Sequence, residues 1–250
     1  MVIGVIPARF ASSRLLGKPL ADICGKPMIQ RTWESASKAK LINKLIIAVD
    51  DVKVEEIARG FGAEVVMTSK DIATGSDRIF QAVKSVPDVD IVVNIQGDEP
   101  FIQGKMIDSA IEPLLFDPAI DVSTLAKKIT SVADLKTPSI PKVVFDYYNF
   151  ALYFSRSAIP YVRDGGTAAE RLQKADIYKH VGLYVYRFNA LKKFTELAPT
   201  DLENTEKLEQ LRMLENGMKI KVVVTEYESL SVDTPEDLER ARAYYLKLKQ

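Results

Sequence analysis

The chain has 250 residues, 47% of them hydrophobic and 27% charged, enough to bury a substantial core in one large α/β domain or a domain with a small appendage. Lys+Arg and Asp+Glu both number 34 and the isoelectric point is about 6.6, which excludes a global field that would recruit nucleic acid or an acidic membrane. Cys24 is the only cysteine, which excludes an intramolecular disulfide; with no leader pattern and no apolar run near ~20 residues, the expectation is a soluble cytoplasmic protein.

Residues 2–6 form an apolar run expected as a buried parallel strand. Pro7-Ala8 turns the chain into a small, polar, cationic loop carrying Arg9, Ser12, Ser13, Arg14, Gly17, Lys18 and Pro19. Three fixed cations and two hydroxyls after a first strand suit an oligophosphate, held in the crevice beyond the carboxyl ends of the strands. A solvated basic loop is the alternative. Pro27 stands at the first position of a predicted helix, with Met28, Ile29, Thr32, Trp33 and Ala36 spaced to pack on a sheet. A strand at 45–49 ending in Asp50-Asp51, a helix at 52–61 stopped by Gly62 and a strand at 64–67 complete a β-α-β-α-β order, which argues for a parallel sheet.

The segment Ala73-Thr74-Gly75-Ser76-Asp77-Arg78 opens the next helix, with Ser76 as the expected N-cap and Gly75 allowing close backbone approach to a ligand. A base edge or an anion at that helix start and an ordinary capped helix both fit. Residues 91–95, the most apolar strand, run into Gln96-Gly97-Asp98-Glu99-Pro100. A carboxylate at the carboxyl end of a central strand needs a cation or hydrogen bonds, and Mg²⁺ shared with substrate phosphates would serve. Capping the helix that begins near Lys105 is the other role open to Asp98.

Residues 120–187 are rich in short strands, at 122–126, 142–145, 151–155 and 181–187, with a turn at 146–149. Period-two alternation puts His180, Gly182 and Tyr184 on one face. By itself a lone histidine on a strand reads as structural, and no second His or Cys supports a zinc site. Residues 163–174 are polar and read as a mobile excursion. Residues 203–215 read as one helix with Leu208, Leu211 and Leu214 inward and Asn216-Gly217 as its cap, leaving Glu206, Glu209 and Gln210 on a solvated flank. A strand at 219–225 follows. Thr234, Pro235 and Asp237 then form a capping box from which Asp233 is left free to point elsewhere.

Neither G-x-x-x-x-G-K-[ST] nor G-x-G-x-x-G occurs, against a P-loop NTPase and a dehydrogenase. Asp88-Val89-Asp90 precedes its strand, the wrong end for the metal-binding D-x-D of a glycosyltransferase.

Six blocks, IPARFASSRLLGKPL, NIQGDEPFI, ALYFSRSAIPY, HVGLYVYR, LEQLRMLENG and VDTPEDLERAR, resemble in residues and order the 3-deoxy-manno-octulosonate (Kdo) cytidylyltransferases, or CMP-Kdo synthetases, along nearly the whole chain. The resemblance implies a three-layer α/β nucleotidyltransferase fold with a mixed, mostly parallel sheet. It implies a single domain over 1–250 in which about 120–187 form a strand-rich sugar-acid and dimer portion. The implied enzyme is a cytoplasmic, Mg²⁺-dependent homodimer that joins CTP to Kdo, giving CMP-Kdo and pyrophosphate for lipopolysaccharide synthesis. Carried over residue by residue, Arg9, Ser13, Arg14 and Lys18 would contact the CTP phosphates, and Thr74, Gly75, Ser76, Arg78 and Gln96 would surround cytosine and ribose. Asp98 and Asp233 would hold magnesium. Arg156, His180, Tyr184, Glu209 and Gln210 would line the sugar-acid pocket. Leu16 stands where the family usually has proline, which bears on the stiffness of the loop and not on its charge. The rivals are a cytidylyltransferase for another sugar acid (8-amino-Kdo or a nonulosonic acid), a non-catalytic nucleotide-binding protein on the same fold, and a glycosyltransferase. Retaining both Asp98 and Asp233 argues against a mere binder.

Overall fold

The structure, a computed structural model, describes residues 1–11, 15–72, 74–228 and 230–248. It divides into one unit of Met1–Ile111 with Glu228–Gln250 and another of Glu112–Tyr227. In the first, the opening apolar run forms β1 (Val2–Ala8), followed by α1 (Met28–Ala36), β2 (Lys44–Val49), α2 (Val52–Gly60), β3 (Glu64–Met67), α3 (Gly75–Val83), β4 (Ile91–Asn94) and α4 (Gly104–Phe116), inside which the unit ends. The four strands lie in the order β3-β2-β1-β4 and every pairing is parallel, with Ile6 beside Ile47 and Val5 beside Asn94. Parallel strands covered on both faces read as unbroken apolar runs, and Ile3, Val5, Ile6, Ile46 and Ile47 are fully buried, each such side chain contributing about 1.5–3 kcal/mol. Because β1, β2 and β4 run the same way, the residues that follow them, Arg9, Asp50 and Gln96–Asp98, leave the sheet at one edge.

The second unit contains β5 (Val122–Lys128), α5 (Val132–Lys136), β6 (Lys142–Phe145), β7 (Ala151–Ser155), α6 (Ala168–Lys174), β8 (Tyr178–Arg187), α7 (Phe188–Glu196), α8 (Asp201–Glu206), α9 (Gln210–Glu215) and β9 (Ile220–Val224). Here the pairing is mixed: β5 is antiparallel to β8 and parallel to β9, and β6 is antiparallel to β7 and β8. The strands and helices together make an α/β arrangement with a mixed, mostly parallel sheet, as expected.

Several local expectations are corrected. Residues 203–215 are two helices, because Lys207 turns left-handed (φ 53°) and the Arg156 guanidinium takes up the carbonyls of Glu206 and Lys207 at the break. Gln210 is buried, not on a solvated flank, and Met213 replaces the half-buried Leu214 in the core. The polar 163–174 stretch contains α6, started by a reciprocal capping box between Thr167 and Glu170. Thr74, not Ser76, caps α3: its hydroxyl accepts the Asp77 N–H at 3.1 Å. Pro27 sits at the N-cap of α1, one residue before the expected position, and Trp33 is half-buried with its ring 5.4 Å from that of Phe61.

The chain returns to the first unit with α10 (Pro235–Lys247). Ile23, Met28, Val232, Leu238 and Ala241 form a common apolar cluster. Arg31 donates to the carbonyls of Ile23 and Cys24 with its guanidinium 3.9 Å from the centre of the Tyr245 ring. This packing anchors the segment before α10, whose Val232 N–H donates to the Asp98 carbonyl at 2.9 Å. Gly97 is enclosed between Thr32, whose hydroxyl donates to its carbonyl at 3.0 Å, and the end of β1. A Cβ at Gly97 would lie 2.7 Å from the Pro7 carbonyl oxygen, which is backbone and cannot step aside. Gly97→Ala is therefore expected to cost about 1–3 kcal/mol of stability. Thermal unfolding should show a midpoint several degrees lower, and an unchanged midpoint contradicts this packing.

Candidate active site

The loop that follows β1 is shaped by Gly17, which adopts the left-handed region (φ 64°) and leads into a short 3-10 turn at Lys18–Leu20 with Pro19 buried. That turn aims Lys18 inward. Its ammonium lies 2.6 Å from Asp98 Oδ2 and 2.7 Å from Asp233 Oδ1. Burial pulls the Lys18 pKa down, but the two carboxylates outweigh it and hold the group above its ordinary value. Asp98 arrives from the exit of β4. Asp233 arrives from the segment before α10, where the Asp237 carboxylate accepts the N–H groups of Asp233 and Thr234 and completes the cap. The cap thus leaves the Asp233 carboxylate unused, as the sequence implied, and that carboxylate meets Lys18.

These groups open onto a cavity of about 340 Å³, also lined by Arg9, Gly75 and Gln96, a size usual for small-molecule sites. Arg9 donates to the Ile72 carbonyl at 2.8 Å and so braces the loop that precedes α3. Thr74, Ser76 and Arg78 do not line the cavity wall. Arg78 is fully buried behind it, bonded to Thr68 and paired at 3.0 Å with Asp50, and burial lowers its pKa with a further push from Arg9. The other Asp50 oxygen accepts the Phe10 N–H at 3.0 Å. Asp50 therefore ties the phosphate-loop candidate to α3, a role missed from sequence although its place after a parallel strand is the signal that singled out Asp98. Ser13 and Arg14 lie outside the described residues.

The donor set fits magnesium. Two carboxylate oxygens that share one ammonium lie no more than about 5 Å apart, and a small hard cation could replace that ammonium between them. Among the described residues no group of three or more His, Cys, Asp and Glu side chains gathers to hold a metal, so the remaining positions would fall to water and substrate phosphates.

In the second unit, His180 and Tyr184 share a face of β8 with ring centres 5.3 Å apart, and the Phe154 ring stands edge-on to His180 at 5.1 Å. Burial pulls the His180 pKa down to about 3 and pushes the Tyr184 phenol up, the latter with help from Tyr186 and Glu209. Both rings are thus neutral across the physiological range. Gln210 Nε2 is buried without a hydrogen-bond partner among the described residues, and the buried Tyr184 phenol stands beside the Thr124 hydroxyl. Arg156 serves differently: its guanidinium donates to the carbonyls of Glu206, Pro138 and Lys207 at 2.6, 3.1 and 3.1 Å, holding open the break that precedes Glu209 and Gln210.

A family model described as cytidylyltransferase matches residues 3–220 of the chain. A 3-deoxy-manno-octulosonate cytidylyltransferase of Geobacter sulfurreducens is 48% identical over 243 residues, covering 96% of this chain and 97% of that protein. One from Parabacteroides distasonis is 47% identical over 247 residues, covering 97% of each. Among solved structures, a CMP:2-keto-3-deoxy-manno-octonic acid synthetase complexed with CTP superposes with a TM-score of 0.91 at 40% identity, covering 99% of both chains.

Two outcomes follow from this geometry. Asp50→Ala leaves the fully buried Arg78 without its carboxylate and is expected to cost about 3–5 kcal/mol in a denaturant titration. A loss below about 1 kcal/mol contradicts the pairing. For His180, the folded value of about 3 lies below the ordinary 6.5, so between these limits the unfolded chain binds more protons. Its stabilising contribution is present above about pH 6.5 and is lost as pH falls toward about 3. The melting temperature should drop more steeply between neutral and mildly acid pH in the wild type than in His180→Gln; parallel profiles contradict a buried neutral ring.

Proposed function

The chain belongs to the family of 3-deoxy-manno-octulosonate cytidylyltransferases, and from that premise we propose that it transfers a cytidylyl group from CTP to Kdo. The anomeric hydroxyl oxygen of Kdo bonds to the α-phosphorus in line, the bond from that phosphorus to the β-phosphate oxygen breaks, and pyrophosphate leaves; the hydroxyl proton passes to solvent. Chemistry of this kind asks for positioning and charge stabilisation, not for a protein nucleophile. The observation that carries the reading is the meeting of Lys18, Asp98 and Asp233 at the mouth of a cavity also lined by Arg9.

Arg9, Ser13, Arg14 and Lys18 hold the triphosphate and stabilise the leaving pyrophosphate. Gly75 and Gln96 meet the nucleoside, while Thr74, Ser76 and Arg78 act from behind by shaping the start of α3. Asp98 and Asp233 would hold magnesium, which when bound would supply charge neutralisation at the α-phosphate and acidify the attacking hydroxyl. In the second unit His180, Tyr184, Glu209 and Gln210 take the sugar acid, and Arg156 supports the last two. The reading extends, on the family resemblance, to a homodimeric cytoplasmic enzyme built on one 1–250 domain whose product feeds lipopolysaccharide assembly. Among the described residues no helix is long and apolar enough to cross a membrane.

Pyrophosphate release measured with Kdo and each NTP tests the reading: release with CTP supports it, and equal release with all four, or none, overturns it. Presenting 8-amino-Kdo and a nonulosonic acid alongside Kdo separates the acceptors. Asp98→Asn and Lys18→Ala should each lower kcat/KM by about two to three decades, the usual cost of one preorganised charge. Asp98→Asn should leave the melting temperature within a few degrees of wild type. Near-normal turnover of Asp98→Asn with Mg²⁺ would remove that residue from the metal site.

A further inference from the structure

One hydroxyl in the second unit stands against the imidazole of the chain's single histidine. Thr124 lies opposite Tyr184 where the register between β5 and β8 slips, between Thr124 and Leu125. At that slip its Oγ1 stands 2.8 Å from the Leu183 carbonyl, 3.4 Å from the Val181 carbonyl and 3.0 Å from His180 Nε2. A hydroxyl has one proton to give, and carbonyl oxygens can only accept. The proton goes to the nearer carbonyl, Leu183, so a lone pair faces the imidazole. A lone pair 3.0 Å from a ring nitrogen makes a hydrogen bond only when that nitrogen bears the hydrogen. Nε2 is therefore protonated. With the ring packed between Phe154 and Tyr184, the charged form is disfavoured, which leaves Nδ1 a bare acceptor. Nδ1 is thus the one ring nitrogen left to accept a hydrogen bond.

We infer that Thr124 is a positioning residue that fixes His180 as the neutral Nε2–H tautomer, presenting Nδ1 as an acceptor for a hydroxyl of the sugar acid and not as a cation for its carboxylate. The inference rests on the reading of the second unit as the sugar-acid site. Tyr184 completes the picture: its buried phenol, 5.3 Å away ring to ring and beside the Thr124 hydroxyl, stays protonated. Two uncharged groups side by side suit the hydroxyl-rich body of a sugar.

Because the chain has one histidine, protein labelled with ¹⁵N-histidine gives a single imidazole signal set. In the wild type, Nε2 should be protonated and Nδ1 bare, with the pattern unchanged from pH 8 to pH 5. Thr124→Val keeps the branched shape but removes the acceptor; the signals should move toward the Nδ1–H form. The KM for Kdo should rise about tenfold, the loss of one good hydrogen bond, with the KM for CTP within about twofold. Thr124→Ser should restore both. An Nδ1–H tautomer or an imidazolium signature in the wild type near pH 6 overturns the assignment. A changed tautomer in Thr124→Val with an unaltered KM for Kdo overturns the role toward the sugar acid. Should Thr124→Val fail to fold, the wild-type spectrum and Thr124→Ser carry the test. Absence of CMP-Kdo formation by the wild type would sink the proposed function while the tautomer result stands on its own.

Discussion

A single ammonium between two carboxylates is the constraint on which the first unit turns. Asp98 and Asp233 approach within about 5 Å, where two bare negative charges would repel by about 3 kcal/mol at an effective dielectric of about 20. Lys18, 215 positions from Asp233 in sequence, removes that cost by bonding both. Much of the surrounding architecture serves this meeting. Parallel strands bring their carboxyl ends to one edge, Gly97 lets the chain after β4 touch the end of β1, and the Val232 N–H stitches the two aspartate segments together. The fold thus concentrates both signs of charge beside an open cavity, and this is the place proposed for the triphosphate and its divalent ion.

The second unit presents a different set of groups. Three of the groups proposed for the sugar acid are uncharged: a histidine kept neutral by burial, a phenol held protonated, and an amide of Gln210 without a partner among the described residues. The charged groups nearby are spent on scaffolding. Arg156 closes carbonyls at the break between α8 and α9, Glu206 accepts the Ser155 hydroxyl and the Arg156 N–H, and Arg212 forks onto Glu203. Here charge mainly holds the backbone in shape, and the groups proposed for the sugar acid are mostly uncharged, Glu209 excepted.

What could be read from the sequence was whatever local chemistry decides. The unbroken apolar run at 2–6, the Thr234-Pro235-Asp237 cap and the carboxylate after the strand of Asp98 each carry their cause within a few residues. The fold places them as expected. The misses have tertiary causes. The break at Lys207 is held by an arginine about 50 positions away in sequence, so helical periodicity runs straight through it. Asp50 reveals its role only once Arg78, 28 positions on, folds back beneath the loop. Thr74 and Ser76 were both chemically able to cap α3, and backbone geometry chose between them. His180 fell on the same strand face as Tyr184 by alternation, but its depressed pKa comes from neighbours no pattern displays, and its assignment to a sugar pocket came from resemblance alone.

The most direct test of the central claim is anomalous diffraction from crystals grown with CTP and Mn²⁺ in place of Mg²⁺. The account predicts a manganese peak within coordination distance of both the Asp98 and the Asp233 carboxylates and of a phosphate oxygen, with Lys18 moved onto the triphosphate. A metal bound to the nucleotide with neither aspartate in reach, and Lys18 still bridging the two, would contradict it.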